Sequence, residues 1–541
     1  MKLILKIMKS IKKNVIYIGF ILGLIASSCS QDSFDENYYN PESSVEADIP
    51  RLFSGLLFNQ SKASANTIMP RYWNLYVFHL PMPGKYSQLF GYTATNGRYE
   101  QQTAYTQSRW QYYYTGPFSS YTEMMKLYNN LSSSEEKAGY DLFMQISKIF
   151  LYDQTAQMID MWGDIPFSEA GHILTSSGLI QNAKYDDQKE LYYKFIDDLK
   201  VVADYLNAYQ TNSFYKPMFD KADIINQGSL EKWKIYANSL RLRLAMRISY
   251  ADEAKARTVV TEILGNPTLY PLVTTIANSI KIDSRGAELR SVVGVDGIRN
   301  SFESGGFNYA PGFLINDLMK PSNDPRLRVF FSKNANGDYL GLDPNLDPTV
   351  QEDQISNNLI SRVDSATFSR NDKFPGIIFT PAEISFLKAE ANERWGVGSA
   401  AKDEYEKGIR QSIEYWFYIN ALNDNADGTA YRPETPATEV EIISLLSSAK
   451  VNYSGTQQQK LEKIATQNWA NFSVILAHQA WAEYRRTNYP TLIFANDNSS
   501  SQSLPPSRLL YPENERTYNP TNYEAVRAKD RIDAKIFWDV N

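Results

Sequence analysis

"PAEISFLKAEANERWGVGSAAKDEYEKGIRQSIEYW" (residues 381–416) holds two helices and the turn that joins them. Pro381 suits a first helical position, where its missing N–H has no partner to lose. Ile384, Leu387 and Ala391 recur at three or four residues and make one apolar stripe. "WGVGS" (395–399) turns the chain, and Tyr405, Ile409, Ile413 and Trp416 form the inward face of the return helix. Ala401 and Gly408 are small enough to let the two helices approach closely.

The same period recurs elsewhere. "DLFMQISKIFLYDQTAQMIDMW" (141–162) reads as a helix through Leu142, Ile146, Ile149, Tyr152, Ala156 and Ile159. "GDIPF" (163–167) ends it, through Gly163 and then Pro166. Further helices are expected at 186–209, 229–250, 252–264 and, as one long element, about 458–484. Antiparallel pairs with small residues at their crossings resemble tetratricopeptide units, although the spacing between pairs is irregular. Segments 66–117, 266–310, 332–378 and 418–457 are rich in Gly, Pro, Asn and Asp and lack a sustained helical period. They read as long loop insertions, functional or packed on themselves. The expected fold is mainly α: tetratricopeptide-like antiparallel helix pairs with long irregular loops and few short strands.

The N-terminus carries an export signal. Lys2, Lys6, Lys9, Lys12 and Lys13 precede the uncharged run "VIYIGFILGLIA" (15–26). As a helix that run rises about 18 Å, too short for a hydrocarbon core of about 30 Å. With Ala26, Ser27 and Ser28 behind it, 1–28 reads as a signal peptide, and Met8 is an alternative start. Cys29 is the only cysteine among 541 residues, so no disulfide forms within the chain. "IASSC" resembles the lipobox of bacterial lipoproteins, in which the cysteine carries the acyl chains, palmitate among them. Several chains anchor a protein where one would not. Cys29 would then begin a lipidated tether (29–43), followed by a single helical domain (44–541). Cleavage removes five lysines and no acid from a chain of formal charge −6, leaving about −11. That balance, without a basic patch interleaved with aromatics, argues against a nucleic-acid partner.

Nine stretches, in order, resemble the SusD/RagB family of outer-membrane nutrient-binding lipoproteins, in its SusD-like branch. They are "WGDIPFSEA" (162–170), "KYDDQKELYYKFIDDL" (184–199), "EKWKIYANSLRLRLAMRIS" (231–249), "NDPRLRVFF" (323–331), "PAEISFLKAEANERWG" (381–396), "YEKGIRQSIEYW" (405–416), "QAWAEYRRTNYP" (479–490), "RLLYPENE" (508–515) and "IFWD" (536–539). "SQDSFDE" (30–36) looks like an acidic surface-export signal of such lipoproteins. The resemblance implies an α-helical tetratricopeptide-containing fold and a lipid anchor in the outer membrane, facing the cell exterior. It also implies capture of an oligomeric nutrient and delivery to a SusC-like TonB-dependent outer-membrane transporter, without catalysis. Glycan is the favoured ligand. Peptide binding, a scaffold without ligand and, less favoured, a glycoside hydrolase are the alternatives.

Most of the shared motifs read as framework. Asp324 and Pro325 suit a helix start, and Arg326 suits a structural ion pair. Glu483, Arg485 and Arg486 would satisfy neighbouring carboxylates or carbonyls. Arg241, Arg243 and Arg247 flank a leucine stripe and are expected to bury their stems and expose their tips.

Sugar rings carry apolar C–H faces, so aromatic rings beside amides suit glycans. The densest such run spans 70–114 and offers Arg71, Tyr72, Trp73, Tyr92, Asn96, Arg98, Tyr99 and Trp110 as candidate ligand contacts. In the family, such contacts often come from a loop in this early region. His79, His172 and His478 lie far apart, and no H-E-x-x-H, G-x-S-x-G, P-loop or dinucleotide motif is present. Two carboxylates would suffice for a glycosidase, but nothing in the sequence points to a pair. No cofactor and no metal are expected.

Overall fold

The 381–416 pair folds as two antiparallel helices whose contact is set by one glycine. In a computed structural model, a Cβ on Gly408 would lie 2.7 Å from the Phe386 ring of the facing helix. The structure describes residues 48–58, 68, 74–171, 182–283, 296–304, 308–423 and 433–541. The expected signal peptide, Cys29 and the tether lie outside these residues.

Among the described residues the helices of eight residues or more are α1 (Ile49–Leu57), α2 (Thr103–Tyr113), α3 (Ser119–Asn130), α4 (Ser134–Trp162), α5 (Gln188–Ala208), α6 (Tyr215–Ala222), α7 (Leu230–Arg247), α8 (Glu253–Gly265), α9 (Pro348–Ser356), α10 (Pro381–Trp395), α11 (Ala401–Ala421), α12 (Glu439–Ser447), α13 (Gln457–Phe472) and α14 (Ala477–Thr487). Among the described residues the strands form three antiparallel two-stranded ribbons. They join β1 (Ile165–Pro166) to β2 (Tyr185–Asp186), β3 (Ile280–Ile282) to β6 (Gly376–Phe379), and β4 (Phe331–Ser332) to β5 (Arg362–Val363).

Neighbours in sequence pack as pairs: α4 with α5, α7 with α8, α10 with α11, and α13 with α14. α7 also packs on α5 and α10, which joins the pairs. The starts are capped by side chains that take up free helix N–H groups. Ser133 accepts from Glu135, Asp187 from Lys189, Ser229 from Lys232, and Thr380 from Glu383. The ends need left-handed backbone: Gly163 after α4 has φ 78° and Gly396 after α10 has φ 66°.

Several expectations need correction. The described part of 66–117 is not a loop: it contains α2, a tight helical turn at Leu75–His79 and another at Pro83–Tyr86. α9 lies inside 332–378 and α12 inside 418–457, where α11 also runs on to Ala421. The single helix expected over 458–484 is two, because Ser473 adopts φ 52° and breaks the chain between α13 and α14. The arginine tips of α7 are not exposed: Arg241, Arg243 and Arg247 are all buried.

Those tips enter an ion-pair network between helices. Arg243 donates to Glu383 of α10 at 2.6 Å and lies 3.6 Å from Asp153 of α4. Arg247 reaches Glu483 of α14 at 2.5 Å and lies 3.6 Å from Asp160 of α4. Arg486 of α14 donates to Glu390 of α10 at 2.6 Å and to Glu483 at 2.7 Å. Arg326, also wholly buried, holds Asp324 at 2.6 Å and Gln467 of α13 at 2.8 Å. The structural role expected for Arg326 and for Glu483, Arg485 and Arg486 is what the structure shows.

Two tests follow from packing and charge. Gly408→Ala should destabilise by about 1–3 kcal/mol through overpacking, although alanine favours a helix by about 1 kcal/mol. Gly265→Ala at the end of α8, where an added Cβ meets nothing within 4 Å, should instead stabilise slightly. Thermal denaturation of both variants reads the opposite signs. Arg486→Met should cost about 3–5 kcal/mol in denaturant unfolding, because it removes a cation shared by two buried carboxylates and leaves Glu390 only the 3.3 Å pair with Arg394. Adding Glu390→Met should recover most of that loss, since Glu483 keeps Arg247.

Candidate ligand-binding cleft

The β1–β2 ribbon, the joint between α2 and α3, and a short C-terminal helical turn (Glu513–Tyr518) meet around one concavity of about 490 Å³. α2 does not run smoothly into α3. Gly116 leaves helical geometry (φ −103°, ψ −105°) and Pro117 follows it, so the chain kinks there. The kink carries Tyr114 and Phe118 at the cleft, their rings 5.5 Å apart and edge-on. Tyr114 donates to the Pro166 carbonyl of β1 at 2.8 Å, which fixes its ring. Burial pushes the Tyr114 hydroxyl well above its ordinary range, so it stays a donor.

The opposite wall belongs to residues Glu513–Asn519. Asn519 donates to the Ala183 carbonyl at 2.9 Å, and Asn522 to that of Asn182 at 2.9 Å. Tyr518 is 70% exposed and presents an open ring. Glu515 accepts from Trp110 Nε1 at 3.0 Å and from the Tyr185 hydroxyl at 2.6 Å. Burial and the Glu515 charge together push the Tyr185 hydroxyl far up. At the rim, Lys184 donates to Glu169 at 3.0 Å and holds that carboxyl below its usual range. Gly171 closes the rim with φ 81°; any Cβ there would strike Thr122 at 2.6 Å. Aromatic faces beside amides and carboxylates in a concavity of this size are the ordinary make-up of a small-ligand site.

The residues singled out in 70–114 are placed differently. Arg71, Tyr72 and Trp73 lie outside the described residues, as does His172. Tyr92, Tyr99 and Trp110 are buried with at most 5% of their surface exposed, so none offers a free ring face. Tyr92 and Tyr99 meet at 6.3 Å, and the buried Arg98 guanidinium lies 5.6 Å from the Tyr99 ring centre. Asp497 holds this turn by accepting from Gly97 N at 2.7 Å. Only Asn96 of the described candidates is exposed. Trp110 packs apart from them, 5.4 Å from Trp162, and serves the cleft from below through Glu515. In the sequence Tyr114 stands only as the end of the aromatic run, and Glu515 only inside "RLLYPENE". Tyr518 carried no signal at all.

His79 and His478 meet in the interior, ring centres 5.0 Å apart, beside a cavity of about 20 Å³. Burial, with Arg109 nearby, lowers His79 to about 3, so it stays neutral. Among the described residues no cluster of His, Cys, Asp and Glu could hold a metal, and no helix is long and apolar enough to cross a membrane.

A SusD-like family model, described as starch-binding and associating with the outer membrane, matches residues 54–512. A solved structure of a chitin-binding protein superposes with a TM-score of 0.70 at 23% identity, covering 91% of this chain and 100% of that one. A chitin-binding SusD homologue from Flavobacterium johnsoniae gives 0.69 at 23% identity, over 91% of this chain and 99% of that one. A SusD homologue from Bacteroides vulgatus gives 0.66 at 22% identity, over 91% and 97%. No curated protein matches the chain. At these identities the structures share the fold, and the family model spans most of the sequence: the chain belongs to the SusD-like family.

Proposed function

We propose that this protein is an outer-membrane surface lipoprotein that binds an oligosaccharide and delivers it, unchanged, to a TonB-dependent transporter. The observation that carries the binding is the cleft between Tyr114 and Tyr518. A pyranose ring laid on Tyr518 would bury its C–H face, while Glu515 accepts from its hydroxyls. The starch-binding description of the family and the chitin-binding neighbours support a glycan over a peptide. A hydrolase would need a carboxyl with a raised pKa to protonate the leaving group. Glu169, displaced the other way by Lys184, does not meet that need. Cys29 would tie the molecule to the membrane through its acyl chains.

Calorimetric titration with malto-, chito- and peptide oligomers tests the ligand class. An oligosaccharide should bind; binding of peptides alone would overturn the glycan reading. Tyr518→Ala should weaken the oligosaccharide by about tenfold or more, about 1.4 kcal/mol, and leave the melting temperature unchanged because the ring is exposed. Trp110→Ala should instead lower the melting temperature by several degrees, since a buried indole is lost.

The anchor has its own test. Cys29→Ala should abolish labelling by radioactive palmitate and release a folded protein from the membrane fraction. Retention of the alanine variant in cells that lack the transporter would overturn the lipid anchor.

A further inference from the structure

Glu123, Glu169 and Glu515 line the cleft, and among the described residues that line it there is no lysine or arginine. The three carboxylates differ in how they are neutralised. Lys126 lies 3.6 Å from Glu123 and Lys184 lies 3.0 Å from Glu169, and both lysines are mostly exposed. Such pairs are weak and open to exchange. Glu515 is held only by the neutral donors Trp110 and Tyr185, so among the described residues its charge meets no cation. A fixed carboxylate beside the open Tyr518 ring and the Tyr114 ring suits a positive group twice over, by charge pairing and by the negative face of the rings. A neutral sugar would use the hydrogen bonds and leave the charge unmatched. The whole chain, at formal charge −6, adds a field of the same sign.

We propose that this cleft selects oligosaccharides that carry protonated amino groups, that is amino-sugar oligomers, over their neutral counterparts; the inference rests on the glycan reading of the same cleft. Calorimetric titration of the full-length protein at pH 6 with hexamers of glucosamine, N-acetylglucosamine and glucose, and with hexalysine, tests it. The glucosamine hexamer should bind about tenfold tighter than its N-acetylated form. That advantage should vanish in about 1 M salt, where the screening length is about 3 Å. Glu515→Gln should remove most of the advantage, weakening the glucosamine hexamer far more than the N-acetylated one, because the amide still accepts from sugar hydroxyls but carries no charge. Glu123→Gln, at an exposed position of α3 whose ion-pair partner Lys126 is also exposed, should remove part of it with an unchanged melting temperature. Equal or tighter binding of a neutral hexamer would overturn amine selection while the glycan reading stands. If hexalysine binds and no saccharide does, or if nothing binds, both fall.

Discussion

Buried charge fixes the arrangement of this molecule. Arg243 and Arg247 stand one turn apart on α7, and their partners come from three other helices: Asp153 and Asp160 of α4, Glu383 of α10 and Glu483 of α14. Taking such ions out of water costs several kcal/mol each unless the geometry is good and every remaining donor is used. It is used here: Tyr236 donates to Asp153 at 2.6 Å and Trp538 to Asp160 at 3.0 Å. A slip of one helix by one turn would strand a charge. The network thus ties helix register to charge pairing. Its pH behaviour is mixed for the same reason. Burial pushes Glu383 and Asp160 up despite their arginines, so their contribution is present at low pH and lost as pH rises through their raised values. At Glu483 burial also acts upward, but Arg486 and Arg247 outweigh it. Its contribution is present above the ordinary carboxylate range and lost as pH falls through its lowered value.

The helical framework was legible because its stripes and caps agree. Ile384, Leu387 and Ala391 are buried as their spacing requires, and Thr380 and Gly396 bound α10, but it is Ala382, Phe386 and Ala389 that share a core with Tyr405, Ile409 and Ile413, so α10 is buried on two faces. What escaped is equally physical. α2, "TAYTQSRWQYY", has no apolar stripe, because its buried face is built from Arg109, Trp110 and Tyr113. The break at Ser473 has no Gly or Pro to announce it. The α7 arginines look like surface residues beside leucines, and only carboxylates from distant helices explain their burial.

The ligand cleft was less legible than the fold, for a related reason. A tyrosine that stacks on a sugar and one that packs in a core have the same sequence signature. In the run 70–114, Tyr92 and Tyr99 pack inward, while Tyr114 reaches the cleft rim. Its partners Glu515 and Tyr518 lie about four hundred residues away. No local pattern joins them, since their meeting depends on how the C-terminal segment returns across the molecule.

That return path ties the cleft to the charged interior. Leu509 N donates to the Met161 carbonyl at 2.8 Å, Trp162 Nε1 to the Leu510 carbonyl at 3.0 Å, and the Tyr511 hydroxyl to the Asp164 carbonyl at 2.6 Å. Arg485 joins the two sides, donating to the Ser507 carbonyl at 2.7 Å and to the Asp160 carbonyl at 2.8 Å. The strap that delivers Glu515 and Tyr518 is thus pinned to the last turn of α4, at the residue whose carboxylate faces Arg247. Trp162 then passes the position on to Trp110, and Trp110 to Glu515. The Glu515 wall is held by the same contacts that hold the core. A ligand entering there needs to order little beyond the exposed Tyr518 ring, so less of its contact energy is lost to ordering the protein.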